Sequence, residues 1–194
     1  MRKSDITRKT SETDICVSVN IDGKGEYQID TKCGFFNHML ELFAKHSQMD
    51  LKVICDGDVY VDDHHTVEDC GIAIGQAIKQ ALGNKEKIRR YATAFVPMDE
   101  ALARVCLDIS GRPYIVYDVD FQCMKAGTFD AQLCEEFMRA LAVNAGLTLH
   151  ISVLYGKNTH HIIEAVFKAV GQAIRNAASI DESLNGVLST KGIL

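Results

Sequence analysis

Four of the seven histidines stand in two dipeptides, His64-His65 and His160-His161, and a carboxylate follows each pair three residues later, Glu68 and Glu164. On a helix, residues three and four apart share one face, so each motif presents imidazole and carboxylate together. Helical bundles use that unit to hold first-row metals. Adjacent histidines point about 100° apart around a helix, so one dipeptide cannot close both rings on one ion. The simplest arrangement is two ions, each taking one ring from each dipeptide. No cysteine accompanies either motif, and imidazole with carboxylate suits Mn, Fe, Zn or Ni. Asp62, Asp63 and Asp69 read as helix caps or solvated charges, with orientation of the imidazoles as the alternative. His46 and His150 fall at a helix end and within a strand, where a lone histidine is more often structural.

The two motifs belong to an internal repeat. HHTVEDCGIAIGQAIKQA, residues 64–81, aligns without a gap on HHIIEAVFKAVGQAIRNA, residues 160–177. Upstream, residues 38–53 lie over residues 136–151, so Glu136 is the repeat-mate of His38. Periodicity places strands at 15–21 and 51–55, with a further short one at 58–61, and helices at 34–47 and from about 64 to 82. In the second copy strands fall near 91–96, 101–109, 114–119 and 148–154. Helices fall near 131–145 and from a cap at Asn158 or Thr159. Each unit reads strands, helix, strand, helix. The expected fold is α+β, a tandem duplication with two sheets backed by helices about a pseudo-twofold axis. Residues 1–88 form the first unit and 89–194 the second with a C-terminal tail, together one integrated catalytic domain.

Composition narrows the setting. At 47% hydrophobic and 24% charged residues the chain is an ordinary globular one. No stretch approaches a membrane span, and MRKSDITRKT lacks the apolar segment of a secretory signal. A net charge of −5 argues against a broad nucleic-acid surface. The seven scattered cysteines read as reduced, mostly buried residues of a cytoplasmic protein. No nucleic-acid or membrane partner is expected.

Longer motifs carry a resemblance. GFFNHMLELFAKHS (34–47), DDHHTVEDCGIAIG (62–75), PMDEALAR (97–104), DISGRP (108–113), GKNTHHIIEAVFKA (156–169) and the closing STKG (189–192) resemble imidazoleglycerol-phosphate dehydratase, in order and over nearly the whole chain. The resemblance implies the sixth step of histidine biosynthesis, dehydration of imidazole-glycerol phosphate to imidazole-acetol phosphate. It implies two Mn²⁺ per active site, a fold of the ribosomal protein S5 domain 2-like class, and twenty-four identical subunits with shared sites. No fused phosphatase domain is expected within 194 residues. One ion would take His38, His65, Glu68 and His161; the other would take His64, His160, Glu164 and Glu136. Many relatives have a histidine where this chain has Glu136, which is still a competent oxygen ligand; the alternative is three protein groups plus water. Glu12 matches the family's N-terminal substrate-contacting acid and is the leading base, with Glu164 and Asp99 behind it. Arg90, Arg112, Ser189, Thr190 and Lys191 match phosphate-facing positions, and His38 and His46 fall in a substrate-facing motif.

The chemistry explains the metals. The proton removed sits on carbon with no adjacent carbonyl to acidify it. A substrate ring between two divalent ions can lose its N–H, form an imidazolate and expel the neighbouring hydroxyl through a diazafulvene-like intermediate. Two other readings use the same ligands: a dinuclear metal-dependent hydrolase and a non-catalytic metal-binding assembly.

Overall fold

Hydrophobic alternation at period two and helical stripes at period 3.6 each need a partner surface, and the duplicated unit supplies it. A computed structural model describes residues 1–194. The first unit holds β1 (Lys3–Lys9), β2 (Thr13–Asn20), β3 (Tyr27–Asp30), α1 (Gly34–Ser47), β4 (Asp50–Gly57) and α2 (His64–Leu82). The second holds β5 (Tyr91–Met98), β6 (Ala101–Asp108), β7 (Tyr114–Asp118), a small hairpin β8 (Lys125–Ala126) and β9 (Phe129–Asp130), α3 (Gln132–Ala145), β10 (Thr148–Tyr155) and α4 (Thr159–Ala178).

The two four-stranded sheets copy each other, in the orders β1-β2-β4-β3 and β5-β6-β10-β7. In each, one edge strand runs parallel to its neighbour and the other pairings are antiparallel. Register is copied too: Val19 lies opposite Leu51 and Leu107 opposite Leu149. Ile15, Val17 and Val19 on β2, like Ala103, Val105 and Leu107 on β6, turn to the buried face while their neighbours turn out. Helices of one unit close over the other, α1 on α4 and α2 on α3. The result is one hydrophobic cluster of 51 buried residues drawn from both units.

The shared G-Q-A-I has a steric reason. A Cβ on Gly75 would lie 2.9 Å from the carbonyl oxygen of Leu141, and one on Gly171 would lie 2.9 Å from that of Phe43. Both glycines therefore let equivalent helix pairs approach backbone to backbone. Gly171→Val should lower unfolding free energy by about 2–3 kcal/mol, because a rigid backbone cannot give way to the branched side chain. A thermal midpoint within 1 °C of the parent, in calorimetry, would contradict that.

The edge strands and residues 58–61 differ from the pattern reading. Strands β1 and β3 are edge strands whose alternation is masked by polar residues; on β1 only Ser4 is buried. Residues 58–61 form no strand: Val61 N–H donates to the Asp58 carbonyl in a turn, and no neighbouring strand offers a ladder. The tail beyond α4 holds only a bridge between Ile88 and Ile180.

Candidate functional site

Each His-His dipeptide opens a long helix, where backbone N–H groups lack helical partners. At α2 the Asp62 carboxylate accepts from His64 N–H at 2.8 Å, whereas Asp63, at the cap position, makes no side-chain cap bond. At α4 the Asn158 side chain accepts from the N–H groups of His160 and His161 at 2.9 and 3.4 Å. These bonds hold the first turn of each helix, from which the rings project.

Facing α4 across the α1–α4 contact is His38. Its Nε2 lies 3.7 Å from Glu164 Oε2, and His160 Nε2 lies 3.2 Å from the same oxygen. These three donors lie within 4.8 Å of one another, a trio close enough to share one metal ion. His38 thus sits with His160 and Glu164, not with His65, Glu68 and His161. Burial pushes the Glu164 carboxyl up, but the Lys168 ammonium on its other oxygen, with the two histidines, more than offsets this and holds it below its ordinary range. On α2, His64 Nε2 stands 3.7 Å from Glu68 Oε2. Glu136, half-buried on α3, occupies the place equivalent to His38 and joins no trio.

The second ring of each dipeptide is held from behind. Asp58 meets His65 Nδ1 at 3.0 Å and Glu100 meets His161 Nδ1 at 2.7 Å, and each carboxylate raises its histidine's pKa. This is the carboxylate–imidazole arrangement that leaves Nε2 for a ligand. The Nε2 atoms face acids on hairpin turns, Glu12 for His65 and Asp99 for His161, each at 3.7 Å. Asp58, Glu100 and Lys168 escaped the sequence reading. Lys168 is i+4 from Glu164 and so carried a signal; Glu100 matches Glu12 only through the strand registers, outside the aligned repeat, and Asp58, in an irregular turn, carried none. Of the acids flanking the first dipeptide, Asp69 orients no ring; it pairs with Arg8 and accepts from Thr13. His46, half-buried at the end of α1, lies 3.5 Å from Gln172, and burial lowers its pKa, with Lys168 assisting.

Glu100 also accepts from the N–H groups of Lys157 and Asn158, and these bonds with His161 hold its carboxyl down to about 2. A depressed carboxylate stabilises the fold above its ordinary pKa and ceases to do so as pH falls through the depressed one. A raised histidine does the reverse, its contribution fading as pH climbs past the raised value. In metal-free protein the stability gap between parent and Glu100→Gln should therefore be widest near about pH 5–6 and shrink on both sides. Urea midpoints showing a gap independent of pH would contradict it.

At the other end of β5, Arg90, Arg112, Ser189, Thr190 and Lys191 line one cavity of about 720 Å³. Arg90 is buried and already committed: it donates twice to Asp108, at 2.7 and 3.1 Å, and once to the Leu188 carbonyl at 2.7 Å. It fastens the tail that carries Ser189, Thr190 and Lys191. Arg112 is exposed, its nearest anion Asp108 at 3.9 Å.

The family model described as imidazoleglycerol-phosphate dehydratase matches residues 31–174. An imidazoleglycerol-phosphate dehydratase of Acetivibrio thermocellus is 60% identical over 193 residues, covering 100% of this chain and 99% of that protein. One of Caldanaerobacter subterraneus is 58% identical over 194 residues, covering 100% of both. A crystal structure of the Staphylococcus aureus imidazoleglycerol-phosphate dehydratase superposes with a TM-score of 0.84 at 43% identity, covering 92% of this chain and 99% of that one. The Pyrococcus furiosus structure does so with a TM-score of 0.84 at 38% identity, covering 97% and 100%. The chain therefore belongs to the imidazoleglycerol-phosphate dehydratase family, hydro-lyases of histidine biosynthesis.

Proposed function

We propose that this chain dehydrates D-erythro-1-(imidazol-4-yl)glycerol 3-phosphate to 3-(imidazol-4-yl)-2-oxopropyl phosphate, with two Mn²⁺ per active site. The observation that carries the reading is the convergence of His38, His160 and Glu164 within 4.8 Å in a chain of this family. The donor set fits a first-row divalent ion: two imidazole nitrogens face one carboxylate oxygen, while Lys168 occupies the other. His64, Glu68 and Glu136 stand at the pseudo-symmetric positions and would hold the second ion, with His65 and His161 completing the sets. Divalent ions bound there supply Lewis acidity toward the substrate ring and a fixed template, without redox change.

The chain's own side chains do the rest. Asp58 and Glu100 keep the Nδ1 atoms of His65 and His161 occupied and their Nε2 atoms free. The substrate ring gives up its N–H proton, and that proton and the adjacent hydroxyl leave together as water by way of a diazafulvene-like species. Glu12, whose carboxylate makes no hydrogen bond and is half exposed, takes the proton from the following carbon, giving an enol that becomes the ketone. Asp99 and Glu164 are the secondary acids. Arg112, Lys191, Ser189 and Thr190 receive the phosphate, with Arg90 holding their segment in place; His46 borders the ring site.

Length argues for a shared site. From Tyr91, at the tail cavity, to Met98, beside the Asp99 turn, β5 rises about 23 Å. A three-carbon chain separates the substrate's ring from its phosphate by roughly 7 Å. A molecule of that size falls short of both ends of one chain, which supports ring and phosphate sites drawn from different copies. We extend this to an assembly of twenty-four subunits, each a single catalytic domain of units 1–88 and 89–194. Seven free cysteines suit a cytoplasmic setting, and no helix is long and apolar enough to cross a membrane.

The test is direct: imidazole-glycerol phosphate with Mn²⁺-loaded protein should yield the acetol phosphate, and a metal-loaded protein giving none sinks the reading. Full activity in a monomer on a sizing column would remove the shared site. Arg112→Ala should raise KM about tenfold with kcat nearly unchanged, since a lost phosphate contact weakens ground and transition states alike. An unchanged KM excludes Arg112 from the phosphate site.

A further inference from the structure

The duplication provides an internal control on what the fold requires. Glu12 and Glu100 occupy equivalent turns, β1–β2 and β5–β6, yet the turns are secured differently. Glu100 anchors its own turn with its carboxylate, accepting from Lys157 N–H, Asn158 N–H and the His161 ring. Glu12 spends no carboxylate oxygen in this way. Its N–H donates to Thr10 Oγ1 at 3.1 Å, and its carbonyl accepts from Asp58 N–H at 3.0 Å. Beneath the turn, Thr13 Oγ1 donates to the buried Asp69 carboxylate at 2.6 Å, and Arg8 pairs with the same oxygen. Asp69 thus ties both strands flanking the turn to α2.

At the equivalent places in the second unit the polar triad is gone. The strand registers set Val96 for Arg8 and Ala101 for Thr13, and the helix repeat sets Ala165 for Asp69. All three are buried, at 5%, 1% and 0% exposure. The same corner therefore packs stably with apolar residues, and a buried carboxylate there is no requirement of the architecture. Burying one without such need is unfavourable, so it answers to something local, and the local difference is the unbonded carboxylate of Glu12.

We infer that Asp69, through Thr13 and Arg8, is a positioning residue that secures the Glu12 turn from below and so leaves the Glu12 carboxylate free for proton transfer. This rests on the reading of Glu12 as the base. Misplacing a reacting group by about 1 Å costs on the order of 10²-fold in rate, so the clamp should act on kcat.

The experiment converts the clamp to the second unit's residues: Arg8→Val, Thr13→Ala and Asp69→Ala together, in the metal-loaded enzyme. A 10- to 100-fold lower kcat, with KM within about threefold and bound metal unchanged, is expected. Placed on Glu12→Gln, the triple change should add less than about threefold, because both act through one group. Thr13→Ser keeps the hydroxyl bond and should lose less than threefold, and Thr13→Val should fall in kcat; this pair carries the test should the triple variant not fold. A folded triple variant with kcat within twofold of the parent overturns the inference. So do losses that multiply with Glu12→Gln, a fall in bound metal, or Thr13→Ser falling as far as Thr13→Val. Glu12→Gln at parental activity would instead fail the reading beneath, and is measured alone for that reason.

Discussion

Glu12→Gln is expected to lower kcat at least about 10²-fold, the range a well-placed base contributes, and to leave bound metal unchanged. The amide is nearly isosteric and cannot take a proton. The carboxylate makes no hydrogen bond, so its replacement disrupts no network; the turn is held by Glu12's own N–H and carbonyl. The carboxylate lies 3.7 Å from His65 Nε2, close enough to reach a molecule bound at that ring and too far to be its hydrogen-bond partner. Steady-state rates alongside metal analysis check this. A variant within fivefold of parental kcat would pass the proton step to Asp99 or Glu164.

The second large effect is metal removal. Chelator-stripped protein should lose more than about 10³-fold of its turnover, since a Lewis acid on the substrate supplies several kcal/mol, and should regain it with Mn²⁺. The fold should survive, because the core of 51 buried residues makes no use of the site. His38, His160 and Glu164 stay spaced by α1 and α4, whose backbones meet closely at Gly171 and the Phe43 carbonyl without any metal. Circular dichroism should remain near the loaded protein's while activity vanishes. Full activity after exhaustive stripping would reject the metal-assisted scheme.

Local patterns were legible in the chain because their causes are local. Gly34–Ser47 is one amphipathic stripe, with Phe36, Leu40 and Phe43 buried, and its bounds follow from that stripe. The two H-H-x-x-E motifs announce imidazole beside carboxylate because i,i+4 spacing on a helix creates the pair before any packing; His160 and Glu164 meet for that reason. The duplication was legible from the alignment of the two copies, and the sheets repeat it strand for strand. Edge strands β1 and β3 were not, since a strand exposed on most sides has little hydrophobic alternation to show.

Amino-acid order thus determined the helices, the repeat and the chemistry available in each motif, all matters of neighbours within a few residues. Tertiary structure decided the company each group keeps. His38 joins Glu164 from 126 positions away, Asp58 rather than Asp62 or Asp63 backs His65, and Asp69 turns from the histidines to Arg8 and Thr13. These meetings follow from which sheet face closes on which helix. That closure is set by the summed burial of the whole core, and no single segment encodes it.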